Sequence, residues 1–176
     1  NDNGRLIGHN TDLMGVLKII GNADIDANDS VLILGAGGMA RALIVAFQKL
    51  GINKISISSR DPNRYLCLAK EFNISSLDWE TARKSKADIL VNATPIGMPG
   101  YPDDPIFNDD VIRDSHTLID VVISDISTPF NEKAIQQGKT FISGLVLAKA
   151  QMIYQYEIYT GIKPPNNIIE NFYLGI

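Results

Sequence analysis

The sequence has few of the residues that build disulfides and metal clusters. Its 176 residues include one cysteine, Cys67, and two histidines, His9 and His116. A single cysteine can form neither an intrachain disulfide nor a cysteine metal cluster, and two histidines leave few ligands for a zinc site. We therefore predict no bound metal.

Long apolar runs and dense runs of Lys and Arg are also lacking. No stretch approaches the roughly 20 apolar residues that a membrane-spanning helix needs. A formal net charge of −4 without a basic cluster disfavours nucleic acids and membrane surfaces as partners. Residues 1–4 do not resemble a secretory signal peptide, so we expect a cytoplasmic protein with small-molecule ligands.

A glycine-rich turn between an apolar strand and an amphipathic helix organises the sequence. Residues 31–34 are apolar, and apolar side chains recur at helical spacing from Ala40 onward. Between them, the G-x-G-x-x-A pattern supplies small residues for a tight turn, for close approach of a pyrophosphate and for helix packing. The unpaired N–H groups of the helix start would bind the anion. We predict a dinucleotide site at Gly35, Ala36, Gly37, Gly38 and Met39, with an ordinary strand-to-helix turn as the alternative.

The end of the next strand, 54–59, indicates which dinucleotide is bound. NAD sites usually place Asp or Glu here to hold the ribose 2′-OH, whereas Arg accommodates the 2′-phosphate of NADP. Ser59 and Arg60 end the strand, and Arg64 follows one helical turn later. These three residues favour NADP over NAD. Asp61 would repel the phosphate unless it caps the following helix, and two solvated arginines are the alternative.

The rest of the chain alternates between strand and helix patterns. With 45% hydrophobic residues, the chain can form one core. The alternation predicts an α/β fold of the Rossmann type: a doubly wound, mostly parallel six-stranded sheet with helices on both faces. The four further strands are predicted at 74–77, 87–92, 117–122 and 140–142.

Ligands of such sheets gather at the carboxyl ends of the strands. Asn92 and Thr94 follow the fourth strand, and Val121 lies near the end of the fifth. We predict that these three residues contact the cofactor. For Thr94, a plain turn before Pro95 is the alternative.

Two polar residues outside the sheet are candidates for ligand binding. Asp12 falls in the first turn of a short helix capped by Asn10 or Thr11, where an acidic residue is common for helix stability alone. Gln151 lies on a long helix after Gly144, on the face next to the predicted buried stripe, and could be a solvated residue. That stripe consists of Leu145, Ala148, Met152, Tyr156 and Tyr159.

Several motifs in order resemble the shikimate dehydrogenase family, specifically its nucleotide-binding half. They span nearly the whole chain, and the ordered set is far more specific than any single motif. The motifs are Asn10-Thr11-Asp12, Gly35-Ala36-Gly37-Gly38 with Arg41-Ala42, residues 92–98 (NATPIGM), Thr128-Pro129, Gly144-Leu145 and residues 160–165 (TGIKPP).

The resemblance implies reversible NADPH-dependent reduction of 3-dehydroshikimate to shikimate in aromatic amino-acid biosynthesis. It assigns Asp12 to catalysis, Asp12 and Gln151 to substrate hydroxyls, and Gly144 to a position beside the nicotinamide. The family's N-terminal substrate domain, with a Ser-x-Ser clamp and a general acid/base lysine, is not found here. We therefore expect 1–176 to be the dinucleotide-binding domain, inactive alone, with a lead-in at 1–29 and a C-terminal helical segment at 144–176, and either monomeric or homodimeric.

Four departures from the family pattern leave the substrate open. Ile123 stands in place of a substrate-contacting tyrosine, Ser143 in place of an aspartate, Asp61 in place of a threonine and Asp125 in place of a proline. Quinate or another cyclic polyol fits as an alternative substrate, and a non-catalytic NADP-binding domain is a second alternative. A methyltransferase is disfavoured because it typically has an acidic residue where Arg60 follows the second strand.

Overall fold

The computed structural model describes residues 4–101, 105–124 and 127–165 of the chain. Its strands are β1 (Ser30–Leu34), β2 (Lys54–Ser58), β3 (Ser75–Ser76), β4 (Ile89–Asn92), β5 (Thr117–Asp120) and β6 (Thr140–Ile142). Its helices are α1 (Thr11–Ile20), α2 (Gly38–Lys49), α3 (Pro62–Phe72), α4 (Trp79–Ala82), α5 (Asp109–Asp114), α6 (Pro129–Gln136) and α7 (Gly144–Thr160). No helix in these ranges has both the length and the apolar character needed to cross a membrane.

The six strands form one sheet in the order β3-β2-β1-β4-β5-β6, and all neighbouring pairs are parallel. This is the predicted doubly wound fold of the Rossmann type. The order reverses between β1 and β4, so a crevice forms at the carboxyl ends of these two strands. β5 ends at Asp120, two residues before the predicted end, because the Val122 N–H binds the Asp120 side chain.

Helices cover both faces of the sheet, which explains why its central strands are continuous apolar runs. On one face, Val31 and Ile33 of β1 pack in a cluster with residues of α1, α2 and α3. On the other face, Leu32 packs in a second cluster with Phe107 and Phe130. Alternate residues of the same strand therefore serve two different layers of core.

The lead-in before β1 packs onto the domain through α1. Asn10 is the N-cap of α1, and its side-chain oxygen accepts a hydrogen bond from the Leu13 N–H at 2.9 Å. Val16 and Ile20 are buried in the cluster that contains α2. Asn10 is one of the two predicted caps, so Asp12, in the first turn, is not needed as the cap.

The predicted buried face of α7 is wrong. Leu147 and Ala150 are the buried apolar side chains, and α7 lies against α1. The apolar side chains of α7 are spread around its whole circumference, so their spacing alone could not identify the buried face. The packing of α1 against α7 determines that face instead. None of the five stripe residues is buried: Leu145 and Ala148 are intermediate, and Met152, Tyr156 and Tyr159 are exposed.

A glycine allows α1 and α7 to approach closely. A Cβ atom added to Gly15 would lie 2.9 Å from the backbone nitrogen of Gln151 and 3.2 Å from its Cα. Real Cβ atoms do not pack that closely against backbone, so any larger residue at position 15 would push the helices apart. The contact brings the Asp12 end of α1 beside Gln151.

Candidate functional site

The glycine turn after β1 is fixed between two neighbouring strands. Gly35 has a φ of +122°, which L side chains rarely adopt, and its N–H donates to the Ser58 carbonyl at 2.8 Å. A Cβ at Gly35 would overlap the carbonyl group of Ala93 after β4. Backbone conformation and space therefore both require glycine here.

The N-terminus of α2 is left open to an anion. Gly37 is its N-cap and makes no side-chain capping hydrogen bond, and the first turn holds no acidic residue. Every other described helix has a capping side chain or an acid in its first turn. A Cβ at Gly37 or Gly38 would meet no atom within 4 Å. Gly37 and Gly38 thus leave open space beside the helix start, whose unpaired N–H groups would bind a phosphate, while Met39 packs against the core.

A cavity of about 430 Å³ lies over this helix start. Arg64 of α3 lines it, and no described acid forms an ion pair with Arg64. Arg60 is exposed but does not line the cavity. The remaining lining residues are Ala36, Gly37, Gly38, Arg41, Asn63, Cys67 and Leu68.

Asp61 caps α3, as the NADP interpretation requires. Its carboxylate accepts a hydrogen bond from the Asn63 N–H at 3.0 Å, and the Ser59 hydroxyl donates to its backbone carbonyl at 2.9 Å. The carboxylate is therefore engaged at the helix start. Ser59 serves to shape the turn that leads from β2 into α3.

Arg41 is a second cation of the cavity that the sequence pattern did not identify as a site residue. It forms an ion pair with Glu71, and its guanidinium lies 5.3 Å from the centre of the Phe72 ring. Both partners belong to the end of α3, so Arg41 also joins α2 to α3. Its spacing from Gly37, one helical turn, is the sequence signal that could have identified it.

At the carboxyl ends of β4 and β5, two buried polar side chains meet. Asn92 and Asp120 are register partners in adjacent parallel strands, and the Asn92 amide donates to the Asp120 carboxylate at 3.0 Å. The Asn92 oxygen accepts from the Thr94 hydroxyl at 2.7 Å. Asp120 was not among the predicted site residues, although an acid at the end of an apolar strand is rarely buried without partners, which is the signal that could have identified it.

Asp120 is 1% exposed, and this burial determines its ionisation. Burial raises the pKa of Asp120 from its ordinary 3.8 to about 6, while hydrogen bonds from the Val122 N–H, the Thr128 hydroxyl and the Asn92 amide lower it. No charged neighbour is among the causes of the shift. Perturbed carboxyl groups in a crevice are characteristic of functional sites.

Val121 and Gly144 lie against each other near the same edge. A Cβ at Gly144 would overlap the carbonyl oxygens of Val121 and Val122, so only glycine fits at the start of α7. The Ser143 hydroxyl caps this helix by accepting from the Val146 N–H at 3.3 Å. Ile123, which follows this contact, is 58% exposed. Asp125, the fourth departure from the family pattern, lies outside the described residues.

Asp12 and Gln151 are brought together by the packing of α1 on α7. The Gln151 side-chain amide donates to the Asp12 carboxylate. Gln155, one turn further along α7, donates to the Thr11 hydroxyl at 3.3 Å. Asp12 and Gln151, 139 positions apart in sequence, therefore form one polar pair.

A cluster of two acidic residues and one histidine lies outside the candidate site, at the amino ends of the strands. Ligand atoms of Asp29, Asp88 and His116 fall within 4.8 Å of one another. The Nε2 atom of His116 lies 3.3 Å from the Asp29 carboxylate, and Asp88 accepts from the Ser30 N–H at 2.8 Å. This group lies at the opposite edge of the sheet from the candidate site.

Known proteins that are similar to this chain in sequence are shikimate dehydrogenases and related proteins. The family model described as shikimate / quinate 5-dehydrogenase matches residues 19–140. The shikimate dehydrogenase (NADP(+)) of Maridesulfovibrio salexigens is 36% identical over 165 residues, which cover 92% of this chain and 60% of the relative. The shikimate dehydrogenase-like protein of Haemophilus influenzae is 34% identical over 171 residues, covering 96% and 62%. The chain thus spans about three fifths of the length of these curated relatives.

Solved structures of the same family share the fold. A shikimate 5-dehydrogenase-like protein superposes with a TM-score of 0.89 at 34% identity, covering 98% of this chain and 64% of that protein. Quinate dehydrogenase from Corynebacterium glutamicum, in complex with NAD, gives 0.79 at 29% identity, covering 96% and 63%. Shikimate 5-dehydrogenase from Thermus thermophilus, in complex with NADP(H) and shikimate, gives 0.75 at 30% identity, covering 96% and 63%.

The raised pKa of Asp120 predicts how stability changes with pH. The folded protein binds the Asp120 proton more tightly than the unfolded chain, so stability falls as pH rises from about 4 to about 6. A difference of about 2 in pKa corresponds to about 3 kcal/mol. Asp120→Asn does not titrate, so its free energy of unfolding should lack this fall. Denaturant unfolding of both proteins between pH 4 and pH 8 measures the difference, and a difference that is constant with pH would contradict the buried carboxyl.

Proposed function

Because the chain belongs to the shikimate / quinate 5-dehydrogenase family, we propose that it is the NADP-binding domain of an enzyme that interconverts 3-dehydroshikimate and shikimate. The main support is the uncapped start of α2, which faces the cavity lined by Arg64. Its N–H groups suit a pyrophosphate, and a guanidinium suits a further phosphate.

The residues present fit a dinucleotide in extended form across the crevice. The pyrophosphate would lie at Gly37–Met39, where a Cβ at position 37 or 38 would enter open space. The 2′-phosphate would lie at Arg64, with Arg60 nearby in sequence. The nicotinamide would lie beyond the switch point, over Asn92, Thr94, Val121 and Gly144.

The choice of NADP rests on charge. Arg64 presents a positive charge at the cavity, and the Asp61 carboxylate is engaged in capping α3. The Maridesulfovibrio relative is named as an NADP(+) enzyme, whereas the Corynebacterium quinate dehydrogenase was solved with NAD. NAD is therefore the alternative cofactor for this site.

NADPH, when bound, supplies the hydride that reduces a ketone, and the reaction also consumes a proton. In the proposal, Asp12 and Gln151 hold the substrate hydroxyls, and the hydrogen bond between them fixes the Asp12 carboxylate in place. The developing alkoxide needs a general acid, and among the described residues no lysine is hydrogen-bonded to Asp12, which pairs with Gln151. We accordingly expect these 176 residues to bind cofactor without turning over substrate.

Cofactor preference tests the first part of this proposal. Calorimetry should give a lower Kd for NADP⁺ than for NAD⁺. Arg64→Ala should raise the Kd of NADP⁺ by about ten- to a hundredfold, since a hydrogen bond to a charged group is worth about 1.5–3 kcal/mol. Arg60→Ala should act in the same direction, and neither change should alter NAD⁺ binding. Arg113→Ala, at an exposed arginine of α5, is the control. Tighter binding of NAD⁺ to the parent protein would contradict the proposal.

Substrate binding tests the role of Asp12. In the complete enzyme saturated with NADP⁺, Asp12→Asn should raise the Kd of shikimate by about ten- to a hundredfold, because a charged hydrogen-bond acceptor is lost. Gln151→Ala should show a smaller loss, and quinate measured in parallel addresses the alternative substrate. Asp24→Asn, at an exposed acid after α1, is the control. An unchanged Kd with a lowered Tm would instead assign Asp12 to stabilising the start of α1.

A further inference from the structure

We propose that Asp120 is a positioning residue that holds the binding surface for the nicotinamide half of the cofactor. The proposal rests on the NADP binding proposed above, but it concerns a residue that the cofactor interpretation does not itself require. Asp120 is buried beneath the carboxyl edge of the sheet, so it would act through the segments that it binds.

The topology divides the dinucleotide between two halves of the sheet. A dinucleotide crosses the switch point between β1 and β4, with one mononucleotide over each half. The glycine turn and Arg64 belong to the half formed by β1, β2 and β3. Asp120 lies in β5, in the other half, and therefore beneath the nicotinamide side.

Through Asn92, Asp120 fixes the turn that follows β4. The Asn92 amide donates both to Asp120 and to the Ile96 carbonyl, each at 3.0 Å. The Asn92 oxygen accepts from the Thr94 N–H at 3.0 Å, and the Thr94 hydroxyl accepts from the Ile96 N–H at 3.1 Å. Asn92 is thus oriented by one carboxylate and in turn closes the turn from 93 to 96.

Through its own segment, Asp120 also fixes the backbone beneath Gly144. The Val122 N–H donates to one carboxylate oxygen at 3.0 Å, and the Thr128 hydroxyl donates to the other at 3.1 Å. Thr128 in addition caps α6 by accepting from the Asn131 N–H at 3.2 Å. Val121 and Val122 present the carbonyl oxygens that pack against Gly144. One carboxylate therefore holds the end of β4, the residues after β5 and the start of α6.

The chemistry of the side chain favours this role over a contribution to stability. A carboxylate has acceptor sites for several donors, so it can accept from Asn92, Val122 and Thr128 together. Burial disfavours its charged form, as the raised pKa of Asp120 indicates. A buried carboxyl with a perturbed pKa that lies beneath the ligand edge is a feature typical of functional sites.

Two ligands separate positioning from general damage to the fold. NADPH occupies both halves of the site, whereas adenosine 2′,5′-bisphosphate occupies only the half with Arg64. Asp120→Ala should raise the Kd of NADPH by about tenfold or more and leave the Kd of the bisphosphate unchanged. Asp120→Asn keeps one acceptor oxygen for the Asn92 amide and the Val122 N–H and turns an amide donor toward the Thr128 hydroxyl, so it should restore part of the NADPH affinity. Thr128→Val removes the hydroxyl that donates to Asp120, so it should weaken NADPH binding by a smaller factor and leave bisphosphate binding unchanged. This variant provides the test if Asp120→Ala does not fold.

Thr117→Val is the matched control, because Thr117 is buried at the opposite end of the same strand. It should leave both affinities unchanged. Equal losses for the two ligands, no loss for either, or an Asn variant as weak as the Ala variant would overturn the positioning role. A parent protein that binds neither ligand would instead contradict the proposed NADP function, whereas intact binding of both by Asp120→Ala would leave that function standing.

Discussion

The close approach of backbone at Gly35 is the constraint on which the site depends. Gly35 has a positive φ and no Cβ, so its turn can lie against the Ala93 carbonyl while its N–H reaches the Ser58 carbonyl. The ends of β1, β2 and β4 are thereby joined at one edge of the sheet. The N-cap residue that follows this turn, Gly37, has no side chain to cap the start of α2, which faces a cavity beside α3. These contacts are the basis of the proposed anion site.

The two halves of that edge are built by different means. The half proposed for the adenosine consists of backbone N–H groups, small residues and arginines, and it requires little burial of polar atoms. The half proposed for the nicotinamide is supported by a buried network centred on Asp120, in which Asn92, Thr94 and Thr128 are hydrogen-bonded. Buried networks of this kind specify one arrangement when every member is satisfied. The proposed positioning role of Asp120 accounts for a carboxyl that is buried although burial disfavours its charged form.

Patterns among residues close in sequence predicted the fold and the glycine turn. Contacts between residues far apart in sequence determine the buried face of α7 and the network around Asp120. The spacing of Gly35, Gly37 and Ala40 gives a turn and a helix start directly, because these depend on neighbours in sequence. The buried face of α7 depends on where α1 packs, and α7 is apolar on all sides, so the predicted stripe was wrong. Asp120 was missed because its partner Asn92 is identified only by the register between β4 and β5. The cofactor and substrate roles of the site residues stay predictions.

The central claim is that the start of α2 binds the pyrophosphate of NADP. Backbone amide chemical shifts, measured by NMR during titration of the protein with NADP⁺, test it most directly, because each N–H reports on its own contacts. We expect the largest changes at Gly37, Gly38 and Met39, with a second group at the Arg64 end of α3. Changes centred on another helix start, or no saturable change at these three amides, would contradict the account.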